Sequence, residues 1–251
     1  MNLVYGVHAV REALRATPQR VRKLVLAEGA LDARKRELMA LAREHGIPVY
    51  REARDRIGRQ NRQNQQGVAA ELAAFEWTDL DAMLAEAPTP AFFLVLDQVE
   101  DPRNFGAVVR AADGAGVHGI VVPERKTAPP SDVAIVASAG ALHHARIARV
   151  RNLSDTLTSL KESGVWTVGL SPDAKDPWPS FDYTEPVAIV LGSEGKGLRT
   201  RVAATCDTLV SIPQMGQVES LNLSVAAGIV LYEVVRQRSG QHTGRPPATS
   251  R

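Results

Sequence analysis

Three short stretches concentrate side chains able to hold and orient a reacting group. The first is residues 212–225, IPQMGQVESLNLSV, where Gln217, Glu219, Ser220, Asn222 and Ser224 crowd between a strand pattern and an amphipathic helix pattern. A strand-to-helix turn needs a few residues and one capping side chain, for which Ser220 or Asn222 would suffice. The surplus of polar groups points to a site. The second stretch is VAIVLGSEGKGL (187–198), a buried strand pattern running into Gly192, Gly195 and Gly197 with Glu194 at the tip. Such a loop lets backbone approach a ligand closely. It is not a Walker loop, because Lys196 is followed by Gly197 where Ser or Thr is required, and a dinucleotide fingerprint begun at Gly195 ends on Thr200. The third stretch is LDQVEDPRNFGAVVRAAD (96–113). Asn104 is placed to cap a helix beginning at Phe105 or Gly106, and Arg110 follows about two turns in. Val108, Val109, Ala111 and Ala112 flank Arg110, so it is expected to be partly enclosed.

Other chemistries are poorly provided for. Cys206 is the only cysteine, so neither an intramolecular disulfide nor a cysteine metal cluster is available. His143 and His144 are adjacent and diverge on a helix, a poor metal pair, and no metal is expected. No run of 18 apolar residues appears, so no membrane span is expected. The start, MNLVYGVHAVREAL, does not read as a secretory signal, and a cytoplasmic location is the default.

The elements that must position these residues form two series. Composition is ordinary for a folded protein, 44% hydrophobic and 23% charged over 251 residues. Residues 1–75 hold 14 Lys+Arg against 8 Asp+Glu, a balance of +6, whereas the remainder holds 16 against 20, a balance of −4. Most of the first group are arginines, which pair with phosphate and stack on bases; a solvated surface is the plain alternative. Helical spacing at HAVREALRA and DARKRELMALAREHG alternates with strand patterns at VRKLVLAEG, IPVYRE and GVAAELAAF. Between the last two strands, RDRIGRQNRQNQQG (54–67) is too polar to bury and is read as a loop rich in phosphate- and base-binding groups. Residues 76–90 form a short acidic helix and a Pro-marked linker. A second series follows, with strands at 91–97, 119–122, 145–150, 165–170, 187–191 and 208–212. Its helices are at 104–115, 131–142, 153–163, near 198–205 and 222–238, and 239–251 is expected to be a disordered tail. Continuous apolar strands separated by helices predict an α/β domain with a parallel sheet covered on both faces.

Taken together, DPRNFGAVVRAADGAG, VAIVLGSEGKGL and IPQMGQVESLNLSVAAGIVLYEVVRQR resemble, in order, the three motifs of the SPOUT-class RNA methyltransferases of the TrmH/SpoU family. The opening YGVHAVREAL and the basic first third are similar to the substrate-binding domain of the branch that methylates a guanosine in 23S ribosomal RNA. The resemblance covers nearly the whole chain. It implies a ribose 2′-O-methyltransferase using S-adenosylmethionine, with a deep trefoil knot over residues 91–238 and assembly as a homodimer. It implies that Gly192, Ile212, Met215, Gly216, Leu221 and Leu223 hold the cofactor. It also implies that Asn104, Arg110, Glu194, Ser220 and Asn222 are catalytic. Free arginine has a pKa above about 12, so Arg110 either accepts the 2′-hydroxyl proton after perturbation or holds the target's phosphate. The alternatives are a tRNA 2′-O-methyltransferase and a non-catalytic RNA-binding assembly protein.

Overall fold

Alternating apolar residues on four short strands build the sheet at the N-terminal end of the chain. The computed structural model describes residues 2–16, 18–59, 66–73, 75–216 and 220–240. Two units separate between Glu76 and Trp77. The first contains β1 (Asn2–Tyr5), α1 (Val7–Ala16), β2 (Val21–Ala27), α2 (Ala33–Glu44), β3 (Val49–Glu52), α3 (Arg54–Arg59) and β4 (Val68–Leu72). Its strand order is β1-β4-β2-β3, with β4 antiparallel to both neighbours and β2 parallel to β3. Along β2, Leu24 and Leu26 pack with Val10, Leu14, Leu38 and Ala42. The intervening Val25 and Ala27 join Ile57 and Ala69 on the opposite face, as the two-residue period of a strand requires. The polar stretch 54–67 therefore opens with a helix whose Ile57 is buried, while residues 60–65 lie outside the described residues. Part of the arginine excess is structural, since Arg11 and Arg15 both bind Glu37, at 2.8 and 2.9 Å.

The second unit holds α4 (Leu80–Ala85), β5 (Phe92–Leu96), α5 (Pro102–Gly114), β6 (Gly119–Pro123), α6 (Asp132–Ala137), β7 (Ile147–Val150), α7 (Leu153–Glu162) and β8 (Trp166–Leu170), followed by β9 (Asp176–Pro177), β10 (Val187–Leu191), α8 (Thr200–Thr205), β11 (Thr208–Ser211) and α9 (Leu223–Gly240). Residues 77–90 are built into this unit rather than left as a linker: Met83 is fully buried and Thr78 bridges to Ala148. The seven strands run in the order β7-β6-β5-β10-β8-β11-β9, and every pairing is parallel. Every residue of β5, β6 and β10 is buried, because helices cover both faces. Phe93, Val95, Ala188 and Val190 pack with Leu153, Leu157, Leu160 and Val202 on one side. Leu94 and Ile189 are equally buried and point to the other side. There α5 packs against both α6 and α9.

Local details depart from the sequence expectation for identifiable reasons. The helix expected over 131–142 stops at Ala137, because Ala139 and Gly140 adopt left-handed φ values of 49° and 94°. The last helix continues to Gly240. Arg238 binds the carbonyls of Pro90, Ala91, Tyr183 and Glu185, so its final turn is anchored. Of the expected tail, residues 241–251 lie outside the described residues.

From β5 the chain winds outward through β6 and β7, then crosses to β8 on the far side of β10. Ligands in open α/β sheets gather at the carboxyl ends of strands beside such a switch. All three polar stretches emerge at that edge, after β5, β10 and β11.

Candidate active site

The glycine loop is built by three backbone requirements. Ser193 and Gly197 exchange both backbone hydrogen bonds, at 3.1 and 2.9 Å, closing a five-residue hairpin. Gly195 and Gly197 turn it with φ of 80° and 65°, values that side chains rarely adopt. At Gly192 a Cβ would lie 2.0 Å from the Gly197 carbonyl carbon, so only glycine lets the hairpin fold back on its own stem. Its far end is clamped by Asp97, which is fully buried at the end of β5. Asp97 accepts from the Arg199 backbone N–H at 3.0 Å and from its Nε and an Nη at 2.8 Å. Sequence reasoning missed this clamp; its only signal is a carboxylate ending the apolar run FFLVLD.

Asn104 is not the cap of α5. Asp101 is, accepting from the N–H groups of Arg103 and Asn104 at 2.8 and 2.9 Å. The Asn104 side chain is thereby released to bridge the other two stretches. Its Nδ2 donates to Glu194 Oε2 at 2.6 Å, and its Oδ1 accepts from Asn222 Nδ2 at 3.0 Å. Asn222 Oδ1 in turn accepts from the Ser224 N–H at 2.9 Å and its hydroxyl at 2.6 Å, capping α9. One amide therefore serves both the helix cap and the site. Residues 90 and 118 positions from Asn104 meet at a single side chain.

Beside this junction lies a cavity of about 700 Å³ including its open mouth. Leu170, Leu191, Ile212, Leu221, Leu223 and Ala226 supply its apolar walls; Ser171, Ser193, Glu194, Gln214 and Ser220 supply polar groups. It thus gathers the ends of β8, β10 and β11 and the entry to α9. Such a mixture of apolar walls and a few convergent polar groups suits a small organic ligand. Of the residues expected to bind a cofactor, Gly192, Ile212, Leu221 and Leu223 line it, whereas Met215 and Gly216 do not. Met215 is 96% exposed, because its loop turns outward there. Gln217 and Glu219 lie outside the described residues. The wall formed by Leu170, Ser171 and Pro172 carries no sequence signal beyond a strand end.

Arg110 is exposed on α5, contrary to the enclosure expected from its apolar neighbours. Val108, Val109 and Ala112 are the ones that turn into the core. The guanidinium makes no hydrogen bond or ion pair with another described residue and lies outside the cavity wall. Among the described residues no group of three His, Cys, Asp or Glu could hold a metal ion, and no helix is long and apolar enough to cross a membrane.

Two family models match this chain. The SpoU rRNA methylase model covers residues 91–232, and a model for RNA 2′-O ribose methyltransferase substrate binding covers 3–78. The chain belongs to the SpoU rRNA methylase family. It is 40% identical over 238 residues to the 23S rRNA (guanosine-2′-O-)-methyltransferase RlmB of Pseudomonas putida, covering 94% of this chain and 96% of that one. The RlmB of Coxiella burnetii is also 40% identical over 238 residues, covering 94% and 95%. Among solved structures, the SpoU methyltransferase AviRb of Streptomyces viridochromogenes in complex with AdoMet superposes with a TM-score of 0.66 at 29% identity. That match covers 95% of this chain and 90% of AviRb. In this family member the substrate-binding match ends at residue 78, beside the boundary of the two structural units after Glu76, and the methylase match at 91–232 lies wholly within the second unit.

Proposed function

We propose that this protein is an S-adenosylmethionine-dependent methyltransferase acting on the ribose 2′-hydroxyl of a guanosine in 23S rRNA, during ribosome maturation in the cytoplasm. One observation carries the reading: Asn104 joins Glu194 and Asn222 beside an apolar cavity at the carboxyl edge of a parallel sheet. Similarity to two RlmB enzymes over 94% of the chain supports the substrate. The matched RNA-substrate module supports residues 1–75 as the RNA-binding domain.

The residues present fit the cofactor. Leu191, Ile212, Leu221 and Leu223 offer apolar walls that would suit its adenine ring, and Gly192 brings backbone rather than side chain to the wall. S-adenosylmethionine, when bound, supplies a methyl group already activated on a sulfonium centre, so the protein's task is to position the acceptor. Glu194 places a carboxylate at the rim of the cavity, a favourable neighbour for a cationic ligand. Asn104 fixes that carboxylate and, through Asn222, the entry of α9. Ser220 presents a hydroxyl on the same wall for the substrate ribose. Arg110, exposed and without a partner among the described residues, holds the phosphate of the incoming strand.

We assign the trefoil knot and the homodimer on the same basis. β10 follows β8 and β9 in the chain yet lies between β5 and β8, and the loops after β10 and β11 end at one cavity. An experimental trace of residues 187–240 checks the threading. Val133 and Val136 on α6 and Val225 and Tyr232 on α9 are 47–53% exposed, an apolar surface suited to a second copy. Sedimentation at micromolar concentration should give twice the mass of one chain; a monomer there rejects the dimer.

The decisive assay is methyl transfer to 23S rRNA from cells lacking this protein, with the product mapped by ribose-methylation sequencing. A single 2′-O-methylguanosine is expected, and Arg110→Ala should abolish it with little change in S-adenosylhomocysteine affinity. Methylation appearing in tRNA instead rejects the rRNA assignment. Undiminished turnover by Arg110→Ala rejects the role given to that residue.

A further inference from the structure

A second cleft opens on the other side of the glycine loop. Gln98 after β5, Glu124, Arg125 and Lys126 after β6, and Arg151 and Asn152 after β7 line it, and Arg199 closes it at the end of the hairpin. It measures about 1210 Å³ including its open mouth. Four cations thus face one carboxylate, in a part of the chain (residues 76–251) where acidic residues outnumber basic ones 20 to 16. Glu124 is already engaged with Arg151 at 3.8 Å. Arg125 and Lys126 are exposed and have no partner among the described residues.

The cations are held in place by the fold. The turn carrying Arg125 and Lys126 is closed by the Thr127 hydroxyl donating to the Pro123 carbonyl at 2.8 Å and by the Ala128 N–H donating to the Val99 carbonyl at 2.7 Å. Lys126 itself sits at φ 58°, and Gln98 across the cleft at φ 61°, conformations that non-glycine residues seldom adopt. Arg199 is fixed by the buried Asp97. From β10 to β7 there are three strand spacings, roughly 14 Å. The cations therefore follow the same sheet edge as the reactive junction, on the side of β5 away from the cofactor cavity.

We infer that this cleft is an RNA-backbone site of the catalytic unit itself: Arg125, Lys126 and Arg151 bind phosphates of the strand flanking the methylated nucleotide. The inference rests on the methyltransferase reading above. It assigns part of substrate affinity to the unit matched by the methylase model, beyond the N-terminal module. Phosphate contacts of this kind set affinity and register without reading sequence.

The test uses the full-length Arg125→Ala/Lys126→Ala double variant and, separately, Arg151→Ala. Binding of a fluorescent 23S rRNA fragment is measured against salt concentration, together with kcat and KM for RNA and the Kd for S-adenosylhomocysteine. For the double variant, RNA affinity should fall roughly tenfold, and the salt slope should drop by about 0.7 to 1 per cation removed. KM should rise in step while kcat and cofactor Kd stay within about twofold. Because the replaced side chains are exposed, melting temperatures should match the wild type. RNA affinity and salt slope unchanged in both variants overturn the inference, and would leave the cleft to an acidic protein partner. If the wild type methylates no rRNA, the functional reading fails, but the binding measurements still decide whether the cleft takes RNA.

Discussion

Asn104→Ala removes both hydrogen bonds that tie the three polar stretches together. The bond to Glu194 is charge-assisted at 2.6 Å and the bond from Asn222 is neutral at 3.0 Å. Bonds of these kinds contribute about 1.5–3 and about 0.5–1.5 kcal/mol respectively. Glu194 is exposed, so the lower end of each range applies, and the ordered junction loses about 2 kcal/mol. At about 1.4 kcal/mol per factor of ten, that is about a 30-fold loss in the population of the assembled site. The loss should appear in kcat with radiolabelled cofactor and saturating RNA, because Asn104 is not among the residues lining the proposed cofactor cavity. Asn104→Asp should be worse than alanine, since a carboxylate cannot donate to Glu194 and repels it. The cycle of Asn104→Ala with Glu194→Gln should be strongly non-additive, as expected for groups in direct contact. Turnover of Asn104→Ala within twofold of wild type, or an Asp variant better than the Ala variant, would refute the proposed linkage.

Three further outcomes are expected. Gly192→Ala places a Cβ 2.0 Å from backbone that cannot swing aside, so the hairpin must shift; calorimetry should show S-adenosylhomocysteine affinity reduced at least about tenfold, alongside about 1–3 kcal/mol of overpacking strain. Gly106→Ala puts a Cβ 2.3 Å from the Ala134 carbonyl oxygen where α5 meets α6, and the melting temperature should fall by about 2–12 °C at about 1–3 kcal/mol. His118 Nδ1 accepts the Phe92 N–H at 3.0 Å, and burial, with the nearby Arg238, holds its pKa below the ordinary value. A depressed folded pKa means this stability is present above about pH 6.5 and is lost as pH falls through the folded value. Urea titrations of wild type and His118→Gln should therefore show a stability gap at pH 7.5 that narrows by pH 5.5.

Element type and order were largely legible because the apolar runs at 92–96, 119–123 and 187–191 are continuous, the pattern of strands buried on both faces. Ends and exceptions were less so. Asn104 looked like a cap because it has a capping side chain just ahead of an apolar run. Asp101, three residues earlier, won because Pro102 is well suited to the first helical position. Arg110 looked enclosed because sequence neighbours on a helix point in different directions, and its apolar neighbours turn inward without it. Met215 and Gly216 belong to the third stretch by sequence, but the loop carries them away from the cavity wall.

The sequence alone determined the repertoire of the site: a glycine loop with one carboxylate, an asparagine ahead of a helix, and a polar entry to the last helix. Composition and spacing suffice for this, because glycine conformations and capping chemistry are local. Only the tertiary structure decided that these pieces share one hydrogen-bonded junction, since that depends on β10 lying between β5 and β8. It alone paired the buried Asp97 with Arg199, 102 residues apart, and lined up Arg125, Lys126 and Arg151 along one edge. Strand order brings distant loops together, and nothing within a single stretch of sequence encodes which loops will become neighbours.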